Sequence, residues 1–297
     1  MSLSLVKYVG SKAGLLAAHP ELFPLPAHGG TVLVPFLGGG SVVAHYRARL
    51  CHVIASDINA RLVNAHACVR SSVDLVVEQL GDIARDWRRT LEPLAGDERD
   101  LAGRTFYEEQ RRKLNDPRGD GDSYTLAARF LFIVRAGFNG LYRENNSGEC
   151  TTAYGKPGPR ADLVQADKLR AYADAVQGVE FLCEDFAVTC ARARSGWAIV
   201  SDAPYEATFT DYCGGDWSAR QPGLPGVGPV NDRERLAAML VYLDAIGARW
   251  TNHDADTPTT RSLYARWPMK QVSRRGNVNS DGEDRDDVTE GLWRNWT

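Results

Sequence analysis

Apolar residues fall along this chain in short blocks, and the change of spacing from block to block defines the elements. The β-branched and apolar run Thr31-Val32-Leu33-Val34-Pro35-Phe36 predicts a buried strand that stops at Gly38, Gly39 and Gly40. In residues 41–50 the apolar positions Val42, Val43, Tyr46 and Leu50 have helical spacing, and residues 51–55 predict a second strand ending at Asp57. Strand, glycine turn, helix, strand, acid is the order of a nucleotide-binding βαβ unit. Residues 62–135 carry helical periodicity, first through Leu75, Val76, Val77, Leu80, Ile83 and Trp87 and later through residues 127–134, with a polar break at 116–121. Periodicity then disappears over residues 137–159, where Gly, Asn, Thr and Tyr dominate, a composition suited to a loop that touches a partner. Residues 179–183 and 197–200 predict two more strands, 213–229 a long Gly/Pro-rich loop, and 232–246 an amphipathic helix. The alternation of strands and helices predicts an α/β fold.

Composition narrows the class of protein. With 297 residues and 43% apolar content the chain can bury a large core. No run approaches the roughly 18 apolar residues of a membrane span, and the start lacks the pattern of a signal peptide, so a soluble cytoplasmic protein is expected. The six cysteines form no C-x-x-C pair and the six histidines no H-E-x-x-H, so neither a metal site nor a disulfide framework is expected. A net charge of −3 argues against a protein that coats nucleic acid through overall charge. Locally the picture differs: Arg261, Arg266, Lys270, Arg274 and Arg275 lie in a stretch without acids, followed by an acid-rich one. Such a stretch is a solvated face or a phosphate contact.

Candidate chemistry sits where predicted strands end. The glycine triplet lacks the full G-x-G-x-x-G fingerprint because Val43 stands at the third glycine position, which favours a nucleoside ligand without a diphosphate over a dinucleotide. Asp57, 17 residues after Gly40, can accept hydrogen bonds from a ribose diol. After the apolar run at 197–200 comes Ser201-Asp202-Ala203-Pro204-Tyr205, a carboxylate, a proline and an aromatic ring outside a strand's carboxyl end. Either this is a plain strand-to-loop turn or Asp202 and Tyr205 carry chemistry.

Taken in order, Lys7-Tyr8-Val9-Gly10-Ser11-Lys12, Phe36-Leu37-Gly38-Gly39-Gly40, the 137–156 loop and Asp202-Ala203-Pro204-Tyr205 resemble the K-x-x-G-x-K, F-x-G-x-G and D-P-P-Y motifs of the Dam-type adenine-N6 DNA methyltransferases. The loop matches the family pattern at Arg135, Gly137, Phe138, Asn139, Gly140, Arg143, Asn145 and Gly148, and Asn252-His253-Asp254 and Arg274-Arg275 match its tail. The resemblance implies a Rossmann-like S-adenosylmethionine-dependent methyltransferase fold, with residues 1–65 and 160–297 catalytic and a helical target-recognition region inserted at 66–159. It implies S-adenosyl-L-methionine held by Tyr8, Lys12, Phe36, Gly38, Gly39, Gly40, Asp57, Asp185 and Phe186, and chemistry at Asp202, Ala203, Pro204 and Tyr205. Double-stranded DNA would be contacted by Lys7, Phe138, Asn139, Leu141, Arg143, Asn145, Lys156, Arg274 and Arg275, with G-A-T-C one site these residues fit. A monomer or weak dimer, in a bacterial or phage-infected cell, is the implied setting.

Two positions depart from the pattern. Ala203 replaces the first proline of D-P-P-Y, which keeps a backbone carbonyl but loses the ring that fixes φ. Val34 stands where the family carries an acid. These departures leave two alternatives open: a weakened or inactive DNA-binding relative, and transfer of a modified group to adenine. Methylation of a protein glutamine and a nicotinamide enzyme fit the residues less well.

Overall fold

In the computed structural model residues 3–8, 11–27, 29–116, 121–145, 147–204, 232–275 and 287–296 are described. All four residues of Thr31–Val34 (β1) are buried, as expected of a strand covered by helices on both faces. Ala13–Ala18 (α1) precedes it and Ser41–Arg47 (α2) follows it, leading to His52–Asp57 (β2). Three helices come next: Ala60–Leu91 (α3), kinked at Ser72, then Gly96–Asn115 (α4) and Ser123–Ala136 (α5). Ala166–Ala175 (α6) returns the chain to Glu180–Cys183 (β3), Phe186–Cys190 (α7) and Ala198–Asp202 (β4). Asp232–Ala245 (α8), Arg249–Ala255 (β5), Pro258–Leu263 (α9), Met269–Arg275 (β6) and Asp287–Arg294 (β7) complete the order.

The strands form one sheet in the order β3-β2-β1-β4-β5-β7-β6. Strands β1 to β5 run parallel, and β7 lies antiparallel between β5 and β6. Having moved outward from β1 through β2 to β3, the chain re-enters the sheet beside β1 as β4. This reversal opens a crevice at the carboxyl ends of β1 and β4, where open α/β sheets take their ligands.

Alternation along the strands explains the two layers. Val32, Val34, Val53, Ala55, Ala198 and Val200 join one core with α3, α5 and α6, whereas Leu33, Ile54 and Ile199 face Leu236, Leu240 and Leu243 of α8 with Trp250, Trp267 and Trp293. The first core continues into the helical region through Trp87, Tyr107, Phe130 and Phe132, so this region and one face of the sheet share apolar packing. The boundary expected at residue 65 falls inside α3. Asn59 and Asp122 cap α3 and α5, their side chains accepting from the backbone N–H of Leu62 and Thr125. α5 is buried all along 127–134, as an apolar helix without a polar face must be.

None of α6, β5, β6 and β7 was expected from the sequence. The reason is plainest in β5, whose buried residues include the polar run Thr251-Asn252-His253-Asp254. The expected 213–229 loop lies outside the described residues. No helix among the described residues is long and apolar enough to cross a membrane, and no group of three or more His, Cys, Asp or Glu among them could hold a metal ion.

Candidate active site at the carboxyl ends of β1 and β4

β1 ends in a turn that only glycines can make. Gly38 (φ 50°) and Gly40 (φ 83°) are left-handed, and a Cβ on Gly40 would lie 2.0 Å from the Tyr172 hydroxyl. Leu37 N–H donates to the Ser56 carbonyl at 2.8 Å, tying the turn to β2. Tyr8 packs against Gly38 from the other side. At the end of β2, Asp57 accepts from the backbone N–H of Asn59 (3.0 Å) and of Gly38 (3.4 Å). Burial pushes its carboxyl up to about 6, against the pull of these amides. Phe36, after β1, and Phe186, at the start of α7, stack at 5.4 Å between centroids. Asp185 caps α7 through Ala187 N–H and takes a 2.7 Å hydrogen bond from Arg235, whose guanidinium lies 4.9 Å from the centroid of Phe186. Contacts thus join Gly38 to Asp57, and Phe36 to Phe186 and, through Arg235, to Asp185.

At the end of β4, Asp202 is 21% exposed and bonded to Lys12, whose Nζ lies 2.8 Å from Oδ1. The resemblance places Lys12 near the methionine carboxylate. Here it is 1% exposed and also lies 3.3 Å from Oε2 of Glu290, on β7, so one buried ammonium stands between two carboxylates. Ala203 is buried and Pro204 exposed. Tyr205 lies outside the described residues. Asp202 is in register with His253 of β5. His253 is fully buried, stacks on Phe23 at 5.4 Å, and has no hydrogen-bond partner for either ring nitrogen among the described residues. Burial, reinforced by the Lys12 charge, holds its pKa well below the ordinary histidine value, so the ring is neutral. Asp254 accepts two hydrogen bonds from Arg233, each 3.2 Å, and one from Tyr264; burial nevertheless raises its carboxyl.

The 137–156 loop is stitched through its backbone. Phe138 N–H donates to the Ala153 carbonyl (2.8 Å), Arg143 N–H to Thr152 Oγ1 (2.9 Å), and Thr151 N–H to the Arg143 carbonyl (2.9 Å). Asn145 turns its side chain inward, accepting from the N–H groups of Ser147 and Glu149 and donating to the Glu149 carboxylate. Leu141 is buried, and Glu144 is clamped by Tyr142 (2.7 Å) and by Arg61 (3.1 Å) of α3. Phe138 and Asn139 remain exposed at a tight turn, Asn139 with φ 57°, and Lys7 lies alongside Gly140. Lys156 is exposed and paired with Asp100 at 2.6 Å. Arg274 and Arg275 belong to β6, opposite Val288 and Asp287.

Sequence reasoning missed His66, Tyr172, Arg235 and Glu290. Arg235 had a signal, since it sits in the first turn of the predicted helix at 232–246 beside two acids. Glu290 had none, being one of six acids in the run 281–290.

Known proteins resemble this chain over its length. The description "D12 class N6 adenine-specific DNA methyltransferase" matches residues 8–265. The Type II methyltransferase M.MjaIII of Methanocaldococcus jannaschii is 27% identical over 294 residues, covering 95% of this chain and 94% of its own. The DNA adenine methylase of Haemophilus influenzae is 27% identical over 291 residues (96% and 91%), and that of Escherichia coli 27% over 296 residues (97% and 93%). With a Rossmann-like sheet, a glycine turn at its switch point and an acid at the end of the neighbouring strand, the chain belongs to the D12 class of N6 adenine-specific DNA methyltransferases.

Proposed function

We propose that this enzyme transfers a methyl group from S-adenosyl-L-methionine to the exocyclic N6 of an adenine flipped out of double-stranded DNA. The observation that carries the reading is the placement of Asp202 across the switch-point crevice from the glycine turn. The residues there fit the cofactor. Gly38, Gly39 and Gly40 let backbone approach closely, Asp57 offers a carboxylate to a ribose diol, and Phe36, Phe186 and Asp185 line an edge suited to adenine. S-adenosylmethionine supplies a methyl group on a sulfonium, an electrophile that a direct in-line displacement can use without a covalent enzyme intermediate.

The chain's own residues do the rest. Adenine's amine is a poor nucleophile because its lone pair is delocalised into the ring. The Asp202 carboxylate and the Ala203 carbonyl would accept its two hydrogens and localise that pair. Lys12 holds the carboxylate from behind, and Tyr205 would stack on the base. Flipping costs a few kcal/mol, which stacking and hydrogen bonding offset. Aligning the amine with the methyl group contributes on the order of 7–11 kcal/mol of barrier lowering.

Reading of the duplex falls to the 137–156 loop. Arg143 would read guanine, Phe138 or Asn139 would fill the space left by the flipped base, and Lys7 would contact a neighbouring base, whereas Leu141 is buried and packs the loop instead of reaching a base. Asn145 supports the loop from within, and Lys156, Arg274 and Arg275 are assigned to phosphates. G-A-T-C is the site we would test first, with the enzyme acting as a monomer.

Nucleoside mass spectrometry of unmethylated duplex DNA, incubated with the protein and S-adenosylmethionine, tests the reading. N6-methyladenine is expected, falling on the order of 10²–10³-fold in Asp202→Ala, the scale for removing one preorganised hydrogen-bonding group from a transition state. Bound DNA with no modified adenine would instead select the inactive relative that Val34 and Ala203 suggest, and a new adenine mass would select a modified donor.

A further inference from the structure

His66 on α3 and Tyr172 on α6 are fully buried behind the glycine turn and belong to none of the motifs quoted above. His66 Nε2 lies 3.0 Å from the Gly38 carbonyl oxygen and Nδ1 lies 2.8 Å from the Tyr172 hydroxyl. A carbonyl can only accept, which places the ring proton on Nε2. Burial lowers the imidazole to about 4, so the ring stays neutral and Nδ1 accepts from the Tyr172 O–H. Tyrosine, imidazole and carbonyl therefore form a directed chain with one tautomer. An apolar ring would fill the same space without burying two polar groups, so packing alone does not account for the pair.

Gly38 is gripped at both of its peptide groups, its N–H by Asp57 and its carbonyl by His66. A trans peptide is planar, so pointing the Gly38 carbonyl at His66 turns the Gly39 N–H the opposite way. The next glycine is moulded onto the same pair, since a Cβ on Gly40 would meet the Tyr172 hydroxyl at 2.0 Å and His66 Cε1 at 2.8 Å. We propose that His66 and Tyr172 are positioning residues that set the peptide orientation of the glycine turn for S-adenosylmethionine, acting through Gly38 without touching the cofactor. The inference rests on the cofactor reading given above.

Calorimetric titration of the full chain with S-adenosylmethionine and with S-adenosylhomocysteine tests it, using wild type, His66→Leu, His66→Gln and Tyr172→Phe. His66→Leu leaves the Gly38 carbonyl without its donor and is expected to raise Kd about tenfold or more. His66→Gln, whose amide nitrogen reaches roughly the place of Nε2, is expected to recover most of that loss, and Tyr172→Phe to fall between. Binding of a duplex oligonucleotide without cofactor, followed by fluorescence anisotropy, stays unchanged in all three. Wild-type affinity in His66→Leu would overturn the proposal. So would a His66→Gln variant as weak as His66→Leu with Kd tracking the loss in Tm, the signature of packing alone. Failure of wild type to bind either ligand would remove the cofactor reading and this inference together, whereas wild-type binding that His66→Leu matches removes this inference alone.

Discussion

The two ends of the proposed reaction are built in opposite ways. Around the glycine turn and Asp202 the side chains are buried or half-buried and bonded within the region: Lys12 to two carboxylates, Asp57 and His66 to one glycine, Arg235 to Asp185. In the 137–156 loop the backbone is fixed by its own bonds and by Thr152 and Asn145, while Phe138 and Asn139, with Lys7 beside the loop, are exposed. One region spends its polar groups on itself and presents a rigid shape. The other satisfies its backbone and leaves side chains for a partner. Substitutions in the first should disturb folding and cofactor binding together, whereas in the second they should reach DNA alone.

The largest effect expected from this contrast is on stability. Lys12→Met removes the cation between Asp202 and Glu290 and should cost about 3–5 kcal/mol, because like charges then face each other in a buried setting. Urea denaturation measures this, and a cost below about 1 kcal/mol would mean that the pair is solvated as an exposed one is.

Arg143→Ala should cost about 1–3 kcal/mol of discrimination between cognate and one-base-altered duplexes. Competition binding reads that difference, and calorimetry should return an unchanged cofactor Kd. A matching loss of cofactor affinity would erase the distinction between the two regions.

The smallest effect is on pH dependence. With the Asp57 carboxyl pushed up to about 6, affinity for S-adenosylhomocysteine should fall about tenfold per unit as pH drops below that value, because the ribose needs the ionised form. Cofactor-free protein should slope the other way. A carboxyl raised above its unfolded value of 3.8 binds more protons when folded, so this group's contribution to stability falls as pH rises between about 4 and 6. Opposite slopes in the two measurements would locate the group, and affinity flat from pH 7 to 5 would exclude Asp57 as the ribose acceptor.

Much of the site could be read from the chain because its demands are on backbone. A left-handed turn needs glycines, and an acid that ends an apolar run marks a strand's carboxyl end, so Gly38, Gly40, Asp57 and Asp202 stand out. Side chains that meet only in the folded sheet left no such trace. Trp250-Thr251-Asn252-His253-Asp254 has no alternation, because both faces of β5 bury polar residues, Asn252 accepting from Ser201 of β4 and Asp254 from Arg233 of α8. Glu290 belongs to the site only because β7 inserts beside β5. α6 was legible and overlooked, since Leu169, Tyr172 and Ala173 keep helical spacing.

The insertion of β7 between β5 and β6 also has a consequence for how the enzyme is born. Glu290, which shares the charge of Lys12, is translated long after it. A nascent polypeptide stopped before Asp287 would carry β6 with no neighbour in the sheet and Lys12 without one of its two carboxylates. The pairing of Lys12 with both carboxylates therefore exists only once β7 has been made, and a stop before it would yield a protein that keeps its motifs and loses this balance of charge.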